Sequence, residues 1–201
     1  MKIAVFVSGR GSNLHAILSS SEEKKNIEVS AVFGDKIDCP AFDIARRYSI
    51  PTFSLGNTEG CVNYTELSGV LSKFKIGFIV LAGFLKLIPK EVVLNFDKRI
   101  INIHPALLPS FGGKGMYGIN VHKAVYESSA KISGVTVHFV DASYDTGKII
   151  AQRCVDISDV RSPEEIAERV LKIEHQILPY VVGKFAENKV RIVNDRVVIL
   201  D

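Results

Sequence analysis

Short β-branched apolar runs alternate with stretches of helical periodicity along most of the chain, and no other feature limits its fold as tightly. Strands joined through helices return to the same sheet edge in the same direction, so this pattern predicts a largely parallel sheet. The expected class is α/β: Rossmann-like, a mostly parallel twisted sheet flanked by helices, with a C-terminal β-hairpin. Lys2–Ser8 reads as a buried first strand ending at Gly9, and Ser12 as the N-cap of a helix from Asn13 to about Ser20. Ile27–Phe33 is a second strand, Pro40–Tyr48 a helix with proline in its tolerated first turn, and Ile50–Phe53 a short strand. Tyr64–Phe74 sets Leu67, Val70, Leu71 and Phe74 at helical spacing. Ile76–Leu81 is the most apolar strand and belongs at the sheet centre.

Beyond a short helix at Lys90–Phe96, Arg99–His104 is a strand stopped by Pro105. Pro105–Asn120 holds four glycines and two prolines and reads as a long loop, a kind of segment that is usually functional inside a compact domain. Val121–Ser128 is helical, and Ser133–Asp141 and Lys148–Val155 are strands around Tyr144-Asp145-Thr146-Gly147. Ser162–Phe185 is the longest helix, opened by a capping-box pattern, and Val190–Val193 with Val197–Leu200 forms the hairpin around Asn194-Asp195. No repeat or linker divides the 201 residues, so a single domain is expected.

Composition excludes several classes. With 47% hydrophobic and 23% charged residues the chain is neither disordered nor fibrous. Its longest apolar run, Ile76–Leu87, is too short to span a bilayer, and Met1-Lys2 leads straight into a strand rather than a cleavable signal. A net charge of +3 is too small to argue for nucleic acid and would suit a small anion. The three cysteines, Cys39, Cys61 and Cys154, make no disulfide framework and suggest a reducing compartment, taken as the cytoplasm. The five histidines show no metal-ligand spacing, so no metal is expected.

Three segments carry chemistry. In Ser8-Gly9-Arg10-Gly11-Ser12-Asn13, the glycines permit a tight turn and the helix start offers free N–H groups to an anion. Leu14 stands where a dinucleotide fingerprint needs its third glycine, so a single phosphate suits Gly11, Ser12 and Asn13 better. A plain connecting turn remains equally open. In Ile100–Pro105, Asn102 and His104 share a strand face, and an amide beside an imidazole can stabilise an oxyanion and move a proton. A strand-end histidine bonded only to backbone is the plainer reading. Asp145 is either a turn residue or, if it meets His104, a carboxylate that raises the imidazole's pKa above about 6.5.

Taken together and in order, these segments resemble the phosphoribosylglycinamide formyltransferases, the folate-dependent enzymes that formylate glycinamide ribonucleotide in de novo purine (IMP) synthesis. The resemblance rests on Ser-Gly-x-Gly-Ser-Asn, Ala82-Gly83-Phe84, Asn102-Ile103-His104-Pro105-Ala106-Leu107-Leu108-Pro109 and Gly134-Val135-Thr136-Val137-His138-Phe139-Val140, and it runs through Glu174-His175.

The resemblance implies a single formyltransferase domain over 1–201, with its N-terminal part binding substrate phosphate, its C-terminal part binding folate and the active site between them. It implies Asn102, His104 and Asp145 as the catalytic trio, with Asp145 raising the pKa of His104. Gly11, Ser12, Asn13 and Glu174 would bind substrate. Leu85, Lys86, Leu87, Ile88, Asn102, Asp141, Ala142, Ser143 and Tyr144 would bind folate. The implied cosubstrate is 10-formyltetrahydrofolate, with no metal; the partners are small molecules, not nucleic acid or membrane, and the protein would be a monomer or homodimer. The chain departs from the family at Gly60 and Cys61, where an arginine commonly contacts the folate, and at Lys86, where many members carry the planar fork of arginine. Rival functions are another formyltetrahydrofolate-dependent transferase or hydrolase of the same fold, or a non-catalytic nucleotide-binding sensor.

Overall fold

A computed structural model describes residues 1–23 and 26–200. The chain divides into two compact units, Met1–Asn102 and Ile103–Asp201. In the first, β1 (Lys2–Val7), β2 (Glu28–Gly34), β3 (Thr52–Ser54), β4 (Phe78–Leu81) and β5 (Ile100–His104) alternate with α1 (Ser12–Glu23), α2 (Ala41–Arg47), α3 (Leu67–Lys73) and α4 (Lys90–Asn95). β5 ends two residues inside the second unit. The β1–β2, β1–β4, β2–β3 and β4–β5 pairings are all parallel. The second unit adds α5 (Ile119–Glu127), β6 (Ile132–Phe139), β7 (Ile149–Asp156) and α6 (Pro163–Ala186). It ends in β8 (Val190–Val193) and β9 (Arg196–Ile199), paired as a hairpin. The strand order of the seven-stranded sheet is β3-β2-β1-β4-β5-β6-β7, and of the pairings described within it β6–β7 alone is antiparallel; the separate β8–β9 hairpin is antiparallel too.

Burial explains the order. β4 is buried at every position and occupies the middle of the seven strands, as its composition predicts. β1 and β2 are buried except at their first residues, and Phe6 stacks on Phe33 with ring centroids 4.7 Å apart. Each such side chain, fully withdrawn from water, contributes about 1.5–3 kcal/mol. β7, at the edge, is mostly exposed.

Element boundaries shift modestly from the expected ones. α1 starts at Ser12, not Asn13, and it is the Gly11 carbonyl that accepts the first helical hydrogen bond, from His15 at 2.9 Å. The cap is therefore Gly11 rather than Ser12, because the left-handed φ of +78° at residue 11 turns the chain into the helix one step earlier. α3 begins at Leu67 because residues 64–66 form turns, with Asn63 accepting from Thr65. The capping box of α6 forms on one side as expected: Ser162 Oγ accepts from Glu165 N–H at 3.3 Å. Glu165 reaches back one residue further, to the N–H of Arg161. The hairpin turn sets both Asn194 and Asp195 at positive φ, the conformation of a two-residue type I′ loop.

Candidate active site

The second unit builds a buried polar cluster around the end of β5. His104 closes that strand, 3% exposed, and Pro105 prevents its continuation. The segment after it is tied down by a threonine. Thr136 Oγ1, fully buried on β6, donates to the Ala106 carbonyl at 2.7 Å and accepts from the Leu108 N–H at 3.0 Å. Gln152 on β7 donates to Thr136 Oγ1 and to the Leu108 carbonyl, each at 2.9 Å. These bonds fix the backbone that carries His104 in one place, which a free loop could not do.

Asp145 reaches this cluster from the turn between β6 and β7. Its Oδ2 lies 3.6 Å from His104 Nδ1, and its Oδ1 lies 3.5 Å from His138 Nε2. The Gly113 N–H donates to the same Oδ2 at 2.9 Å, and His104 Nε2 donates to the Phe111 carbonyl at 2.8 Å. Asp145 adopts φ +57°, a left-handed conformation that aspartate tolerates better than most residues. Gly147 makes the turn possible: a Cβ there would lie 1.8 Å from the Phe139 carbonyl oxygen. Asp141 ties the turn from within, accepting from the Ser143 N–H at 2.9 Å and from Thr146 Oγ1 at 2.7 Å.

The electrostatics overturn one expectation. Asp145 does meet His104, yet the pKa of His104 lies below its ordinary value, not above it. Burial pushes the imidazole down, and this outweighs the upward pull of the Asp145 charge and of the Phe111 carbonyl; the nearby His138 lowers it further. Burial also pushes Asp145 up, but the His138 contact, the Gly113 N–H and the charge of His104 together hold its carboxyl below the usual range. His122, on α5, is pushed down to about 4 by burial and by the charge of His104. It is 5% exposed, and its Nδ1 has no hydrogen-bond partner among the described residues.

A cluster of this kind on a strand end is open to several chemistries, and relatives narrow them. The formyl transferase family model matches residues 1–182. This chain belongs to the formyl transferase family. Its relatives include the chloroplastic phosphoribosylglycinamide formyltransferases of Arabidopsis thaliana, 48% identical over 195 residues, and of Vigna unguiculata, 44% identical over 193. Those matches cover 94% of this chain, which spans 67% of the first relative's length and 62% of the second's. The solved phosphoribosylglycinamide formyltransferase of Anaplasma phagocytophilum superposes with a TM-score of 0.90 at 33% identity, covering 100% of this chain and 93% of that one.

Of the residues that family resemblance singled out, His104 and Asp145 are brought together, and Asn102 lies two positions before His104 on β5. Gly11, Ser12 and Asn13 open α1 in the first unit, where a Cβ at Gly11 would lie 2.6 Å from that of Ala41 on α2. Position 11 is thus glycine for packing as well as for its turn. Leu85 and Leu87 are exposed, Ile88 is buried, and the Leu85 N–H donates to Ser8 Oγ at 2.9 Å. Lys86 is exposed. Of 141–144, Tyr144 is the large exposed side chain, while Asp141 is used within its own turn. Glu174 is buried on α6.

Sequence reasoning passed over His138, His122, Phe111, Thr136 and Gln152. His138 and Thr136 could have been flagged, because they are polar residues at alternate positions of a strand whose other inward residues are apolar. The Phe111 carbonyl carries no side-chain signal at all. Among the described residues no group of three or more His, Cys, Asp or Glu is arranged to hold a metal, and no helix is long and apolar enough to cross a membrane.

Proposed function

We propose that this chain transfers the formyl group of 10-formyltetrahydrofolate to the amine of glycinamide ribonucleotide, a step of purine synthesis. The observation that carries the reading is the half-buried Asp145 carboxylate 3.6 Å from His104, at the end of the strand that also bears Asn102. A carboxylate–imidazole pair beside an amide can serve acyl transfer without a covalent intermediate, which suits a reaction whose nucleophile is the substrate amine. The amine attacks the formyl carbon and gives a tetrahedral oxyanion. The Asn102 amide donates to that oxygen, and so does the His104 Nε2–H once it exchanges the Phe111 carbonyl that it bonds here for the oxyanion; one such donor is worth about 3–4 kcal/mol. The amine then loses one proton and the departing folate nitrogen gains one, with His104 carrying the exchange and Asp145 stabilising the imidazolium on its Nδ1 side.

In this reading the N–H groups opening α1 at Gly11, Ser12 and Asn13 hold the substrate phosphate, and the buried Glu174 binds the substrate further along. Leu85, Lys86, Leu87 and Ile88 contact the folate, together with Asn102 and the turn Asp141, Ala142, Ser143 and Tyr144. The whole chain acts as one formyltransferase domain. Three free cysteines suit a reducing compartment such as the cytoplasm.

The test is direct. Purified protein is incubated with glycinamide ribonucleotide and 10-formyltetrahydrofolate, and both products are followed by chromatography and mass spectrometry. Formylated ribonucleotide and deformylated folate should appear in equal amounts. Release of free formate without formylated ribonucleotide would replace this reading with that of a hydrolase, and no turnover of either compound would remove the catalytic reading.

A further inference from the structure

Gln152 is a polar residue of the second unit that the proposed chemistry leaves unused. It lies on β7, the largely exposed edge strand, yet both N–H groups of its side-chain amide are directed at the segment that follows His104. The Leu108 carbonyl can only accept, so the amide atom 2.9 Å from it is the nitrogen. The second N–H of that nitrogen goes to Thr136 Oγ1, also at 2.9 Å. This orients the threonine hydroxyl in turn. Its lone pairs take the N–H groups of Gln152 and Leu108, and its single proton goes to the Ala106 carbonyl. Leu108 is thereby held at its N–H and at its carbonyl together.

The buried Leu108 side chain carries this constraint onward. It packs on Gly112, where an added Cβ would lie 2.5 Å from Leu108 Cδ2 and 3.4 Å from Asp145 Cβ. Backbone alone fits between the two. On either side of Gly112 stand the backbone groups that hold the histidine–carboxylate pair. The Phe111 carbonyl accepts from His104 Nε2 at 2.8 Å, and the Gly113 N–H donates to Asp145 Oδ2 at 2.9 Å. Phe111 itself has a left-handed φ of +56°, which a bulky residue keeps only where its surroundings impose it. In a close-packed place, a shift of Leu108 either pushes Gly112 or leaves a void beside it. Both outcomes displace the Phe111 carbonyl and the Gly113 N–H.

We propose that Gln152 is a positioning residue: through Leu108 and Gly112 it sets the Phe111 carbonyl and the Gly113 N–H, and with them the placement of His104 against Asp145. Its own amide bonds go to Leu108 and Thr136, not to either member of that pair. The whole relay lies within the second unit. An exposed edge-strand side chain ordinarily changes stability little when it is replaced, so a large effect on turnover would separate this role from a structural one.

The proposal rests on the formyl-transfer reading only for its kinetic arms, and amide hydrogen exchange tests the relay without any turnover. Gln152→Glu keeps the length of the side chain and replaces its two donors with oxygens that can only accept. In this variant, free of substrates, the Gly113 amide should exchange about tenfold faster or more, while the amides of α6 keep their parental rates. An unchanged Gly113, or an acceleration shared equally by α6, overturns the proposal. Should the parent chain transfer no formyl group, the exchange arm still decides whether the relay exists. In the kinetic arm kcat should fall about tenfold or more in the folded variant, with both KM values within about threefold of the parent. A kcat within about threefold of the parent overturns the positioning role. Gly112→Ala presses on Leu108 from the opposite side, so the double variant should lose about as much kcat as the worse single one. Losses that multiply would show two independent effects and overturn the route through Leu108.

Discussion

Asp145 Oδ2 lies 3.6 Å from His104 Nδ1, and still His104 titrates below an ordinary histidine. Two opposed effects meet on one ring. The carboxylate favours the imidazolium, while removal from water disfavours it, and the second is the larger. Without the carboxylate the ring would be driven lower still.

Asp145→Asn keeps the shape of the turn and removes the charge, so the His104 titration should fall further. If the protonated ring serves the reaction, fewer molecules carry it at neutral pH in the variant. The expected result is a lower kcat with its acid-form limb moved to lower pH. A histidine titration paired with the pH–rate profile of both proteins checks this, and an unmoved His104 returns Asp145 to the role of a turn residue.

Asn102→Ala removes the amide that shares a strand face with His104. Losing one oxyanion donor costs roughly 10²-fold or more in kcat. Substrate binding, measured directly by calorimetry, should change little, because the amide acts on charge that exists only in the intermediate. A kcat within a few-fold of the parent would take Asn102 out of the mechanism.

Gly147→Ala puts a methyl group where the Phe139 carbonyl oxygen already sits, at 1.8 Å. The chain must move, and Asp145 is two residues away on the same turn. Overpacking of this kind costs about 1–3 kcal/mol, so a lowered denaturation midpoint is expected. Activity should fall by more than the loss of folded protein accounts for, since the carboxylate is displaced from His104. Full specific activity in the folded fraction would show that the turn can relax without moving Asp145.

His122 should make the protein acid-sensitive. Its pKa is about 4 in the fold and about 6.5 in the unfolded chain, so below pH 6.5 the unfolded state takes up a proton that the folded state refuses. Stability therefore falls as pH drops from about 6.5 to about 4, by about 3 kcal/mol when the loss is complete. His122→Leu should abolish that part of the loss. Urea unfolding of both proteins at pH 7 and pH 4.5 measures it, and parallel losses would mean that His122 is not the group responsible.

The sequence alone determined whatever depends on near neighbours along the chain. Strand and helix periodicity, the glycine turn before α1, the Ser162 cap and the Asn194-Asp195 hairpin are local patterns, and each appears within a few residues of its expected place. Asn102 and His104 were legible together because β-strand alternation alone puts them on one face. That Asp145 meets His104 depends on a turn two elements downstream, and spacing could not supply it. The sign of the His104 shift was beyond reach for a further reason. A charge partner is a single residue that a motif can name, whereas burial sums over every atom that excludes water, and only the packed tertiary structure fixes that sum. The same holds for His138 and for the Phe111 carbonyl, whose parts in the cluster are set by which backbone oxygens end up 2.7–2.8 Å from two ring nitrogens.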